Sequence, residues 1–304
     1  MYNITNNNPD SLDIEWVIFN TCNYKCSYCF PGLNDGNSKI IDKETVLNFF
    51  KKLDKEYPTI KILTVSGGEP TLWSQLPNFF AELPESYSTA IVTNGSRTLR
   101  WWHDFFKKYD KITAITISVH FEFADLEHIK SLCQFLHDKT DVTVLLLGND
   151  KNFLVVKEFA NSLKNENLNI SIKIKPIINL IFPNNEYSED FQKFVEEFQY
   201  RKSKRKKINI AKHLIIDGVA YNSEYANLLI SKNQTNFKGW HCQLGKTRLF
   251  IWHDGNVYPA SCATGRKYKI GNIFDSTLEI LNGAICEDSY CDCTPNIRIP
   301  KHRV

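Results

Sequence analysis

The residues with chemistry to explain come first as a cysteine triplet. Cys22, Cys26 and Cys29 lie in Asn20-Thr-Cys-Asn-Tyr-Lys-Cys-Ser-Tyr-Cys-Phe30, with the spacing C-x-x-x-C-x-x-C. Three thiolates on one loop can wrap one face of a cubane iron–sulfur cluster. Such clusters normally take four thiolates, so three leave one iron open to another ligand. Structural zinc is an alternative, but it wants four protein ligands, usually as two separated pairs. No fourth Cys or suitably spaced His follows nearby. A disulfide is the other alternative. The polar, Asn-rich start from Met1 to Asp10 is no signal peptide, so the default compartment is a reducing cytosol. Nine cysteines is also an odd number, and in that compartment metal ligation is the better use of them.

The elements around the triplet position it. Trp16-Val-Ile-Phe19 reads as a strand entering a core, and a Gly, Pro, Asn and Asp-rich loop follows the last Cys. The run Ile60-Lys-Ile-Leu-Thr-Val65 leads into Ser66-Gly-Gly-Glu-Pro70. Further strands are predicted at 88–92, 112–119, 142–147 and 170–174. Helices are predicted between them, the first capped by Asp42 with Val46, Leu47, Phe50 and Leu53 on one face, and others over 76–83, 98–109, 125–137 and 153–164. Six strands alternating with helices argue for βα units and a parallel sheet, and six units are too few for a closed eight-fold barrel. Of the adjacent Trp101 and Trp102, at most one faces the core squarely.

Near residue 180 the pattern changes. A charged helix is predicted from about Ser188 to Lys206, ending in the basic run 201–207, which reads first as a solvated helix end. From His213 the chain reads as short strands and turns, with Asp217-Gly218, Asp254-Gly255 and Gly271-Asn272 as turn signals. Five cysteines crowd this last part: Cys242, Cys262, Cys286, Cys291 and Cys293. Small regions short of apolar core commonly rely on metal ligation. A structural zinc site on four of them is the alternative to an iron–sulfur cluster. Cys133, among Leu132, Phe135 and Leu136, reads as a buried inert thiol.

The cysteine spacing, with Tyr28 before the last Cys, resembles that of the radical S-adenosylmethionine (radical SAM) superfamily, and Ser66-Gly-Gly-Glu-Pro70 after a strand resembles that family's second motif. The resemblance implies an α/β fold, a partial (βα)6 barrel over residues 1–180 with chemistry at the strands' C-terminal ends. A helical connection over 181–212 and a small cysteine-rich α+β auxiliary-cluster domain over 213–304 follow. It implies that Cys22, Cys26 and Cys29 ligate a [4Fe–4S] cluster whose open iron binds S-adenosylmethionine. Tyr28, Gly67, Gly68, Glu69, Thr93, Asn94 and Ser118 would contact that cofactor, Glu69 facing its ammonium group. A turn or cap role is the simpler reading of Asn94 and Ser118, and ordinary loop residues that of His120 and Glu122, which otherwise could face the substrate.

The C-terminal cysteines, with Asp254-Gly-Asn-Val-Tyr-Pro-Ala-Ser-Cys262, resemble the family's auxiliary-cluster extensions, the long SPASM form and the short twitch form. Five cysteines cannot fill two clusters, so the short form with one auxiliary Fe–S cluster is implied, Cys242 and Cys262 matching its first pair. Which two of Cys286, Cys291 and Cys293 complete it is open, and Cys291 and Cys293 are expected because one small loop presents both. Cys286 would then be the spare thiol, able to return a hydrogen atom to a substrate radical.

Hydrophobic content of 42% and charged content of 23% are those of a globular protein. A net charge of +3 does not argue for nucleic acid, and no apolar run reaches membrane-spanning length. The implied function is reductive cleavage of S-adenosylmethionine, then oxidative or redox-neutral modification of a peptide or small polar metabolite, as a dehydrogenase, epimerase or peptide cross-linking enzyme. Flavodoxin or ferredoxin would supply electrons in the cytoplasm. About 15 residues precede the first strand, which leaves no room for a fused leader-peptide domain. The alternatives are an iron–sulfur scaffold or electron carrier, and a nucleic-acid-modifying enzyme motivated only by 201–207.

Overall fold

The structure is a computed structural model that describes residues 3–5, 11–38, 41–178, 186–198, 200–201, 214–216, 218–221, 225–275, 278–279 and 281–304. A short N-terminal strand β1 (Asn3–Thr5) precedes the alternating part. That part runs β2 (Ser11–Val17), α1 (Lys43–Glu56), β3 (Ile60–Ser66), α2 (Leu76–Glu82), β4 (Tyr87–Thr93), α3 (Leu99–Lys108), β5 (Ala114–Val119), α4 (Leu126–Leu136), β6 (Asp141–Gly148), α5 (Phe153–Asn165) and β7 (Ile170–Pro176). Next come α6 (Glu189–Glu197), β8 (Tyr200–Arg201), β9 (Leu214–Ile216), β10 (Val219–Tyr221) and α7 (Tyr225–Ser231). The chain ends with β11 (Trp240–Cys242), β12 (Arg248–Ile251), β13 (Asn256–Tyr258), α8 (Ala263–Arg266), β14 (Gly271–Asn272), β15 (Ala284–Ile285), α9 (Thr294–Ile297) and β16 (Lys301–Arg303).

Strands β2 to β7 pair in chain order, all parallel, as the alternating pattern predicts. The larger sheet has the order β14-β13-β12-β2-β3-β4-β5-β6-β7-β8 and does not close on itself among the described residues. Helix starts follow the predicted chemistry. Asp42 accepts from the Thr45 N–H at 2.9 Å, and Asp125 from the Glu127 and His128 N–H groups at 3.1 and 3.0 Å. Each satisfies donors that a helix start leaves unpaired. The strands bury Leu63, Val65, Ile91, Ile115, Ile117 and Val144 completely. Trp16 packs edge-on or tilted against Phe50, Trp73 and Phe79 at 5.3–6.0 Å between ring centroids. Trp102 is fully buried while Trp101 is partly buried, and Cys133 lies deep in the core.

Two features differ from the sequence reading. The charged helix stops at Glu197, because Phe198 leaves helical geometry and the chain returns as β8, antiparallel to β7. Beyond Arg201 the basic run lies outside the described residues. In addition, Gly271-Asn272 is no turn but β14, paired with Asn256 and Val257.

The C-terminal chain makes two attachments. Arg248–Ile251 adds to β2 in parallel register, Arg248 opposite Asp13 and Ile251 opposite Trp16. β13 and β14 extend that edge, while β9, β10, β11, β15 and β16 join the N-terminal β1 in a small sheet of order β10-β9-β1-β16-β11-β15, antiparallel throughout. No helix among the described residues is long and apolar enough to cross a membrane.

Candidate active site at the strand ends

The loop carrying Cys22, Cys26 and Cys29 leaves β2 and is seated on the turn that leaves β3. The Ile18 N–H donates to the Ser66 carbonyl at 3.0 Å, Gly68 N–H to Phe19 at 2.8 Å and Glu69 N–H to Thr21 at 2.8 Å. This seat needs both glycines. A Cβ on Gly67 would lie 2.6 Å from the Phe19 oxygen, and one on Gly68 only 2.0 Å from the Thr21 oxygen. Gly67 also has φ of +134°, which side chains disfavour. The glycines thus permit a close backbone approach whose partner is the cysteine loop itself. At its base the loop is closed by Asn20 and Ser38. The Asn20 Oδ1 accepts from the Ser38 N–H and Oγ at 2.8 and 2.7 Å, while the Asn20 N–H donates to the Ser38 Oγ at 2.8 Å.

Glu69 takes a position the sequence does not predict. It is completely buried. Its Oε1 accepts from the Thr71 N–H, the Thr71 hydroxyl and the Thr93 hydroxyl at 3.1, 2.5 and 2.8 Å; its Oε2 accepts from the Asn94 N–H at 2.6 Å. A carboxylate offers about four lone-pair sites. Four donors from the protein leave Glu69 little capacity for a free ammonium group, so it acts first as a brace between neighbouring strand ends. Burial pushes its carboxyl up, opposed by the Asn94, Thr71 and Thr93 donors.

In front of this brace is a cavity of about 590 Å³. Cys22, Cys26, Cys29, Gly67, Gly68 and Tyr28 line it on the loop side, and Thr93, Asn94, Ser118 and His120 at the ends of β4 and β5. Asn94 donates through Nδ2 to the Asn23 Oδ1 at 2.9 Å and toward the Cys22 sulfur at 3.8 Å. Tyr28 stacks on His120, with ring centroids 5.8 Å apart and hydroxyl oxygen 3.2 Å from Nδ1. Burial, and then Lys175, lower the His120 pKa to about 4, so it is neutral at pH 7. Glu122 does not face the cavity as a free acid. Its carboxylate accepts from the Ser27 N–H at 2.7 Å and from the Ser27 hydroxyl, pinning the middle of the cysteine loop.

The cavity's far wall comes from the C-terminal chain and includes Cys262, Cys293, Asp288, Asp292 and Arg266. Cys262 caps α8, its sulfur accepting from the Gly265 N–H at 3.3 Å. Cys286, expected to face a substrate, is buried instead, packed with Cys291, Trp240 and Ile297. The strand pairing explains this. Ala284 opposes Cys242, and the Cys286 N–H donates to the Trp240 carbonyl at 2.8 Å, so Cys286 is strapped inward beside β11. Cys293, expected as a ligand, is on the cavity wall.

The three thiols of the loop suit an iron–sulfur cluster with one iron left open. Burial raises the Cys26 thiol to about 12, with Glu122 and then Cys29 and Cys22 adding to the shift; Cys22 likewise raises Cys29. All three thiols line the same cavity. No group of three or more His, Cys, Asp or Glu among the described residues converges on one ion position. Cluster thiolates sit on separate irons and need no such convergence.

Some features had no signal in the sequence. Glu15 and Lys175 lie on strands whose residues read only as sheet, yet both line the cavity. Arg248 meets Glu15 and Asp13 across more than two hundred residues of chain.

A curated relative, the S-adenosylmethionine-dependent nucleotide dehydratase of Fibrobacter sp. (strain UWH6), is 25% identical over 197 residues, 57% of this chain and 49% of the relative. The chain thus spans about half the length of that relative. Among solved structures, anSMEcpe with bound AdoMet and Cp18Cys peptide is similar at TM-score 0.61 and 18% identity, over 88% of this chain and 78% of that one. SuiB of Streptococcus suis bound to precursor peptide SuiA is similar at TM-score 0.57 and 13% identity, over 87% and 63%. These likenesses show the fold, whose parallel core carries the cysteine loop as described. Residues 16–133, from the core of β2 into α4, match the sequence model of the radical SAM superfamily.

Proposed function

We propose that the chain cleaves S-adenosylmethionine reductively and modifies a peptide or small polar metabolite in the cavity, aided by one auxiliary iron–sulfur cluster on its C-terminal cysteines. One observation carries this reading. The triplet Cys22, Cys26 and Cys29, the Gly67-Gly68 turn and the C-terminal Cys262 and Cys293 all line the same cavity. An electron carrier needs no such chamber.

The chain's residues divide the work. Cys22, Cys26 and Cys29 would hold a [4Fe–4S] cluster, which when bound supplies the electron that splits the sulfonium of S-adenosylmethionine. Gly67 and Gly68 would offer backbone groups to that cofactor, Thr93, Asn94 and Ser118 would offer polar groups, and Tyr28 would offer an aromatic ring. Glu69 keeps the turn and the end of β4 in register, so these contacts are preorganised. The C-terminal wall excludes water and meets the substrate. Lys175, Arg266, Asp288 and Asp292 supply both signs of charge, which suits zwitterionic or peptide groups better than a polyphosphate. The peptide-bound neighbours agree with that preference. The nucleotide dehydratase supports a second reading, a nucleotide substrate, to which the two cavity cations give a foothold.

The test is anaerobic reconstitution followed by reduction with dithionite. The protein should hold two clusters and form 5′-deoxyadenosine without added substrate. Replacing Cys22, Cys26 and Cys29 together by Ala should abolish that product and leave only the auxiliary cluster. Zinc, or no residual iron, in the triple variant would remove the auxiliary cluster from this reading. No 5′-deoxyadenosine from the intact protein would leave only a scaffold or carrier.

A further inference from the structure

We propose that Lys301 is a fixed counter-charge to a metal–thiolate centre that includes Cys242, and that it holds the auxiliary cluster at a raised reduction potential. The proposal rests on the auxiliary cluster of the proposed function and names a residue of this chain that tunes it.

The small sheet sets an ammonium group in an apolar row. Across its strands the directly paired residues run Ala284, Cys242, Lys301, Ile4 and Ile216. Residues opposite one another in antiparallel strands share a face. Lys301 is the charged member of this row and is 3% exposed, with Cys242 and Ile4 buried on either side of it.

The partners that Lys301 does have are neutral. Its Nζ donates to the carbonyls of Asn296 and Ile297 at 2.9 and 2.8 Å and lies 4.8 Å from the centroid of the Phe237 ring. The other two buried cations among the described residues, Lys61 and Arg248, are each paired with an acid, Lys61 with Asp54 at 2.7 Å and Arg248 with Glu15. Lys301 pairs with no Asp or Glu among the described residues. Capping α9 does not demand a charge. That helix is a single turn, and the Asn296 carbonyl already accepts from the Ile299 N–H at 3.1 Å.

Burying an ammonium is costly unless an opposite charge lies close. A metal centre held by thiolates is anionic, and Cys242 sits on the same sheet face as the cation. The other C-terminal thiols fit such a centre. Strand β11 supplies Trp240 to one buried cluster, which holds Cys286 and Cys291, and Cys242 to another, against which Cys262 packs. Four thiols thus reach one three-residue strand, and four fill an iron–sulfur cluster. A positive charge fixed beside the centre favours its more negative, reduced form. Reduction adds one electron and moves no atom, so Lys301 makes the centre a readier electron acceptor.

A redox titration of the reconstituted protein with dithionite, read by electron paramagnetic resonance, tests this. The auxiliary signal is the one that survives replacement of Cys22, Cys26 and Cys29 by Ala. Lys301→Met and Lys301→Gln remove the charge, Gln keeping a donor for the α9 carbonyls, and Lys301→Arg keeps the charge. At the wild-type midpoint the ratio of reduced to oxidised auxiliary cluster should fall about tenfold in the neutral variants, a downward shift of about 59 mV for one electron. Lys301→Arg should restore the wild-type midpoint. An unchanged midpoint in a neutral variant that holds the cluster overturns the proposal, and so does an equal shift in Lys301→Arg. If neither neutral variant loads the auxiliary cluster, loading by Lys301→Arg upholds the counter-charge. Failure of all three variants to load makes Lys301 a structural residue and overturns it. Zinc, or no second centre, in the wild-type protein would instead remove the auxiliary-cluster reading beneath it.

Discussion

Glu69 Oε2 accepts the Asn94 backbone N–H at 2.6 Å, joining the turn after β3 to the end of β4. The same carboxylate takes three more donors from Thr71 and Thr93 and is closed to solvent. A residue expected from its motif to bind a cofactor therefore holds two neighbouring strand ends together.

Stability of the cluster-free protein separates these roles. Glu69→Ala leaves buried N–H groups of Thr71 and Asn94 unpaired, each costing about 1–3 kcal/mol, and should destabilise the fold by about 3 kcal/mol or more. Glu69→Gln should also cost stability, because an amide NH2 would have to face a donor. Urea denaturation of the apo variants measures this. An unchanged midpoint for Glu69→Ala would show that the brace contributes nothing.

Gly68→Ala tests the seat of the cysteine loop. The new methyl would sit 2.0 Å from the Thr21 oxygen, so Thr21 and the loop must shift. Overpacking of this kind costs about 1–3 kcal/mol, and the shift should cut iron loading of the first cluster severely. Gly36→Ala is the control. It has φ of +72° but nothing within 4 Å of the added carbon, so it should cost about 1–2 kcal/mol of backbone strain and leave iron loading intact. Equal loading in the two variants would refute the steric account.

How much of this was legible in the sequence depends on the range of the interaction. Local patterns were readable. Asp42 caps its helix as its position predicts, and the parallel order of β2 to β7 follows from alternating runs. The cysteine loop and the glycine turn were readable because each motif is short and contiguous. Long-range pairing was not. Nothing in Glu122 says that it will pin Ser27, or in Cys286 that β15 will turn it inward beside Cys242. The helix expected to reach Lys206 fails for the same reason, since pairing of β8 with β7 draws the chain away at Phe198.

His120 should make stability fall on mild acidification. Its pKa is lowered to about 4 from a usual value near 6.5, by burial first and then by Lys175. Between those values the unfolded chain binds a proton that the folded chain refuses. The contribution is therefore complete above pH 6.5 and is lost as pH falls toward 4. At pH 5 the loss is about 2 kcal/mol. His120→Gln should be less sensitive than the wild type by that amount when urea midpoints at pH 7 and pH 5 are compared. Parallel losses in both proteins would assign the acid sensitivity to other groups.

Arg248 carries the last prediction, because it fastens the C-terminal chain to the first barrel strand. It is 4% exposed, pairs with Glu15 and lies 3.6 Å from Asp13, and its strand runs beside β2 in parallel register. Arg248→Met keeps most of the buried stem but strands two carboxylates that are only partly exposed. Removing one partner of a buried pair costs up to 3–5 kcal/mol, and the exposure of both acids reduces this to about 2 kcal/mol here. Lys at this position should recover only part of the loss, because one compact ammonium cannot serve two acids as a guanidinium fork does. The decisive comparison is a double-mutant cycle with Glu15→Gln, read by urea denaturation of the apo protein. Removing the charge of Glu15 takes away part of what Arg248→Met leaves uncompensated, so the double variant should lose at least 1 kcal/mol less than the sum of the singles, roughly. If the two effects simply add, the ion pair is not what joins the C-terminal wall to the barrel, and the backbone pairing of β12 with β2 carries that seam by itself.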